Sequence, residues 1–155
     1  VTLIRLIASA TEEFERMTGT QIVERTVCLY LNGFESFDID LQACPVSAIT
    51  HIKYDDENNA EQTLSASDYY TSLYGACPYV RPVDYWPTTY YNKPDSVRIT
   101  MTAGYELLSV PEDIRQALKL MVYDGWNNPG DQVSGLTVTS INAIQAIANR
   151  HRKYR

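Results

Sequence analysis

The chain has 155 residues, 45% of them hydrophobic and 21% charged, with a formal net charge of −6. That length suits one domain able to bury its own core without disulfide or metal staples. The acidic balance argues against wrapping nucleic acid with the whole surface, no apolar run is long enough to span a membrane, and no basic segment followed by an apolar one marks a secretory signal.

Leu3, Ile7, Ala10, Phe14 and Met17 recur at steps of four and three, which predicts an amphipathic helix stopped at Gly19. The β-forming run 26–31 (TVCLYL) precedes Asn32-Gly33, a hairpin-turn pair, and Phe37, Ile39 and Leu41 alternate with polar residues as the returning strand. Pro45 interrupts that strand and opens a third, over 46–54, ended by the polar run DDENNAEQ as a hairpin loop. From 63 to 92 the chain mixes Tyr69, Tyr70, Tyr74, Tyr79, Tyr85, Trp86, Tyr90 and Tyr91 with Pro78, Pro82 and Pro87. Prolines break strand ladders, so short strands joined by an extended arm are expected there.

The stretch 97–126 organises the rest. Val97, Ile99 and Met101 alternate with Arg98, Thr100 and Thr102, as in a half-buried strand, and Gly104 permits a reversal. Ser109 and Glu112 have capping-box spacing, with Pro111 in the first turn of a helix whose apolar face is Ile114, Ala117, Leu118, Met121 and Val122. After the turn at Asn127-Asn128-Pro129-Gly130, a last helix is expected to begin after Ser140, with Ile141, Ile144, Ile147 and Ala148 on one side. The prediction is an α+β fold: a small helical bundle of the N-terminal, organising and C-terminal helices, with antiparallel β-strands and hairpins inserted between the first two.

Catalytic chemistry finds little support. His51 with Asp55, Asp56 and Glu57 could be imagined as a metal or acid–base site, but neighbouring residues at a strand end point apart, and a solvated hairpin tip is the better reading. There is no nucleophile turn, phosphate-cradling glycine loop or dinucleotide fingerprint, and Cys28 sits in an apolar run that disfavours a thiolate. Cys28, Cys44 and Cys77 form no C-x-x-C pair, so reduced thiols in a cytoplasmic setting fit better than a disulfide framework or zinc site.

Three stretches carry a family resemblance, and they occur in the family's order. They are the N-terminal helix ending in a Thr-Gly step (8–19), the run Pro45-Val46-Ser47-Ala48-Ile49 leading into Tyr54 and Asp55, and the 101–123 pattern "taGY…vP…i..Al..lv". Over roughly positions 3 to 126 the chain resembles the head–tail connector, or adaptor, proteins of long-tailed bacteriophages and phage-derived particles. The resemblance implies a single adaptor domain over 1–155 with a C-terminal arm from about 140, without catalytic activity, metal or cofactor. It also implies a ring of twelve copies below a portal protein, carrying a stopper or tail proteins, at the head–tail interface of a virion assembled in the bacterial cytoplasm. Double-stranded DNA would pass through the ring without sequence recognition, and an acidic wall would let it slide. No membrane is involved.

Two surfaces are candidates within that reading. Tyr69, Tyr70, Tyr85, Trp86, Tyr90 and Tyr91 would form a subunit contact, since Tyr and Trp supply large rigid area at interface cores. Ile141, Ile144 and Ile147, with Arg150, Arg152, Lys153 and Arg155, would dock on the portal. Those four cations fall in the last six residues, leaving nine basic against nineteen acidic residues in the rest of the chain. The alternative from another class is a small cytoplasmic enzyme using the His51/Asp55 region. A third, a DNA-binding module with the organising helix as reader, is disfavoured by that helix's acidic face.

Overall fold

The computed structural model describes residues 2–75, 77–127 and 138–152. Among them are three helices and seven strands in two antiparallel sheets, an α+β fold. The chain groups into two compact units, one formed by Val1–Ile22 with Tyr105–Tyr154 and the other centred on Val23–Gly104.

The first unit holds the helices. α1 (Leu3–Thr18) ends where the sequence predicts: Gly19 adopts φ +68° and its N–H donates to the Glu15 carbonyl at 2.8 Å. α2 (Glu112–Asn127) begins later than a capping box at Ser109 requires. Ser109 lies in a turn, its N–H bonded to the Glu106 carbonyl, and the first helical N–H, that of Arg115, reaches the Pro111 carbonyl at 3.1 Å. Glu112 instead faces Arg115 and Lys119, and the Asp113 carboxylate accepts the Ile114 N–H at 2.9 Å. α3 (Val138–His151) starts three residues before the expected point. Phe14, Ile22, Ile114, Ala117, Ile147 and Ala148 form the buried core of this unit. Of the periodic faces read from the sequence, Ala10, Phe14, Ile114 and Ala117 are buried and Met17, Leu118 and Met121 pack partly buried against this core, while Leu3 and Ile7 at the start of α1 stay exposed.

The second unit is built on β7 (Val97–Ala103), whose alternate residues Val97, Ile99, Met101 and Ala103 are fully buried. It lies between β1 (Arg25–Leu31) and β3 (Val46–Asp55), and β4 (Glu61–Leu64) completes a sheet in the order β1-β7-β3-β4. The β3–β4 hairpin and its polar loop are as expected.

The hairpin expected at Asn32-Gly33 does not form. β1 pairs antiparallel with β7, seventy residues on, from Arg25 opposite Ala103 to Leu31 opposite Val97. The tight turn would need positive φ at both central residues, and neither Asn32 nor Gly33 has it. Asn32 is used differently: its carbonyl accepts the Ser96 hydroxyl at 2.6 Å and its side chain accepts the Asp95 N–H at 3.3 Å, fastening the entry of β7 to the end of β1. The expected returning strand shrinks to β2 (Ile39–Asp40). It joins β6 (Tyr79–Pro82) and β5 (Tyr69–Ser72) in a second sheet ordered β2-β6-β5. Ile39 and Val80 of that sheet share one core with Val46, Ile52, Val97 and Ile99 of the first.

Gly104 ends β7 for a steric reason. Its φ is +108°, and a Cβ there would run into the Val23 carbonyl and come within 2.7 Å of the Glu24 Cα. Only glycine fits where the two backbones pass.

Candidate assembly surface

The aromatic stretch resolves into anchored and presented residues. Beyond β6 the chain crosses 83–96 as a strap without regular structure until β7. Three bonds pin it. The Val83 N–H donates to the Asp68 carbonyl at 2.9 Å, and the Tyr90 N–H to the Asp55 carbonyl at 2.9 Å. Between them the Trp86 indole N–H is shared by the Ser36 and Phe37 carbonyls at 2.9 and 3.0 Å, while its ring stacks on Phe34 with centroids 4.6 Å apart. Trp86 is therefore a fastener. Its neighbour Tyr85 points the other way and is 89% exposed, and Tyr91 is 88% exposed.

The remaining predicted contact residues divide in the same way. Tyr69 packs half-buried on the sheet core, burial pushing its hydroxyl pKa up, whereas Tyr70 and Tyr90 are exposed. Of the expected tyrosine surface, then, Tyr70, Tyr85, Tyr90 and Tyr91 are presented, and Tyr69 and Trp86 hold the frame.

The C-terminal candidates divide too. Ile144 and Ile147 are buried, and Ile147 belongs to the helical core. Thr20 donates its hydroxyl to the His151 carbonyl at 3.0 Å, and His151 Nε2 is hydrogen-bonded to Asp113 Oδ2 across 2.8 Å. That bond to His151 is the main cause holding the Asp113 carboxyl below its ordinary pKa. Arg150 and Arg152 are exposed beyond this fixed end, Arg150 lying 3.9 Å from Asp113. The side chain of Ile141, and all of Lys153 and Arg155, lie outside the described residues.

The His51/Asp55 region is a structural ion cluster. Asp55 is buried at the end of β3, where Arg98 contacts both carboxylate oxygens at 2.9 and 3.1 Å and Lys93 reaches one at 2.8 Å. These bonds, from Arg98 first and Lys93 second, hold its carboxyl far below the usual carboxylate range. Glu61 extends the cluster, pairing with Lys53 at 2.7 Å and Arg98 at 3.1 Å. Both oxygens of Asp55 are committed to cations, which leaves it ill suited to move a proton. Among the described residues, no group of three or more His, Cys, Asp or Glu side chains is placed to hold a metal ion. No helix among them is long and apolar enough to cross a membrane.

One surface escaped the sequence reading. In the first unit, Leu3 and Ile7 of α1 and Leu118, Val122, Tyr123 and Trp126 of α2 line an open groove of about 510 Å3. Leu3, Tyr123 and Trp126 are each more than half exposed. The signal was present in the α1 stripe, which begins at Leu3, well before the first buried residue, Ala10.

No protein-family model matches the chain, and no curated protein matches its sequence. Solved structures do. A chain in the virion of a native gene transfer agent particle is similar at a TM-score of 0.83 and 21% identity, over 99% of this chain and 77% of that one. A chain in the neck of the native particle, computed with C12 symmetry, is similar at 0.81 and 21%, over 99% and 82%. One in the neck of the empty particle, computed with C6 symmetry, is similar at 0.83 and 20%, over 99% and 78%. The likeness is one of fold. It spans both compact units and leaves no large part of the chain outside the shared architecture.

Proposed function

We propose that the chain is a structural subunit of the neck of a phage or phage-derived particle: a head–tail adaptor that forms a ring below the portal, extends the DNA channel and joins head to tail. The observation that carries this reading is the fold likeness over 99% of the chain to components of a neck computed with C12 symmetry. Twelve copies is the number that symmetry favours. The order of the three sequence stretches supports the adaptor reading independently, because it is a property of the residues and not of backbone shape.

The surfaces described above fit the role. Presented tyrosines on a pinned strap suit contacts between neighbouring copies, and the basic end of α3 suits a portal or DNA phosphates. Burial of Ile144 and Ile147 narrows the docking segment to Arg150, Arg152 and the residues after them, with the isoleucines holding that segment to the helical unit. The excess of acidic residues before position 150 suits a channel wall from which DNA is repelled. Nothing in this role needs catalysis or a cofactor.

Deleting the chain from cells that make the particle should leave DNA-filled heads and free tails that fail to join, with joining restored by supplying the chain in trans. Normal tailed particles in its absence would overturn the reading.

A further inference from the structure

We propose that the groove between α1 and α2 of one copy receives the Asp84–Tyr85 corner of a neighbouring copy's strap. This rests on the ring reading and adds to it the surface that accepts the strap. The groove's floor is apolar and its charged lining residues, Arg115 and Lys119, are both cationic; they share one carboxylate, Glu112, at 3.5 Å each, which leaves the rim one positive charge in excess. The corner is their complement: a Tyr85 ring that is 89% exposed, beside an Asp84 carboxylate with no hydrogen-bond or ion-pair partner among the described residues. Pins at Val83, Trp86 and Tyr90 hold it in place, so little ordering entropy remains to be lost on contact. A rigid aromatic anchor entering an apolar pocket is the usual form of an interface hot spot.

The charges also select the kind of contact. Groove against groove would be isologous, stop at a dimer and set Arg115 and Lys119 of two copies face to face. Strap into groove uses two different patches of the same chain, is heterologous, and propagates from copy to copy until a ring closes.

Disulfide trapping on portal-bearing heads lacking this chain tests the pairing. Two chains of different size, both carrying Cys77→Ser to remove the exposed thiol, are mixed on the heads and oxidised. One carries Tyr85→Cys and the other Val122→Cys, with Glu57→Cys as an exposed control outside both the groove lining and the corner. The mixed product of the first two should exceed both homodimers and the control, and one chain carrying both substitutions should give a covalent ladder. Asp84→Lys or Lys119→Glu alone should lose the mixed product, and the two together should recover it. Groove-to-groove dimers from Val122→Cys as the main product would overturn the pairing. Wild-type rings on the heads without the mixed product would overturn the pairing alone and leave the ring reading standing. Neither rings nor mixed product would overturn both.

Discussion

Asp55 ties the ends of β3 and β7 to the strap, because its cations come from β7 and from the strap and its backbone carbonyl receives the Tyr90 N–H. Its side chain is only 5% exposed, so Asp55→Asn puts a neutral amide against two cations and leaves Arg98 with Glu61 as its remaining carboxylate. That should cost about 3 kcal/mol in urea unfolding followed in the sheet unit. The pH dependence has a definite sign. A carboxyl whose folded pKa lies below its ordinary 3.8 contributes fully above that value, and the contribution is lost as pH falls below it towards the folded pKa. Wild-type stability should therefore fall more steeply than that of Asp55→Asn between about pH 4 and pH 2, and equal slopes would contradict the ion-cluster account. Gly104 makes an independent case. Gly104→Ala must move the backbone at Val23 or abandon φ +108°, and should destabilise by about 2 kcal/mol or more in the same assay. A neutral result would mean the close approach relaxes freely.

At the scale of elements, truncations separate holding from presenting. Trp86→Ala removes the strap's middle fastener and should cost about 2 kcal/mol, being a half-buried ring with a shared hydrogen bond. Tyr85→Ala should leave the unfolding midpoint unchanged and impair ring formation. Loss of stability in Tyr85→Ala, or ring loss in a fully stable Trp86→Ala, would reverse those assignments. In α3, Ile147→Ala should cost about 3 kcal/mol as a core truncation, whereas Arg150→Glu with Arg152→Glu should keep the fold and weaken attachment to heads. α1, β7 and α2 were legible because each carries its own period of 3.6 or 2 along one face, and β3 because Pro45 and the polar run DDENNAEQ bound it. The partner of β1 was not legible. Strand pairing across seventy residues leaves no local mark, and Asn32-Gly33 advertised a turn that Ser96 and Asp95 displaced by taking Asn32 for themselves. The aromatic surface was half legible: composition marked the stretch, but the inward turn of Trp86 depends on Phe34, Ser36 and Phe37 arriving alongside it.

For the whole molecule, the two compact units divide the labour the proposal needs. The sheet unit carries the presented strap, and the helical unit carries the groove and the basic end of α3. On the proposed pairing, a head-to-tail contact between unlike patches would build rings from such a chain, and repetition around a ring would make weak portal contacts strong together. The order of the adaptor-like stretches along the chain supports the ring reading. The groove that completes it became visible only once α1 and α2 lay side by side. The most direct measurement is electron cryo-microscopy of portal-bearing heads lacking this chain, before and after the purified protein is added. The account predicts one new layer of twelve-fold density below the portal, with the strap of each copy against the helical unit of the next and the end of α3 facing the portal. Heads that gain no density at the portal, or single copies scattered elsewhere on the shell, would contradict it.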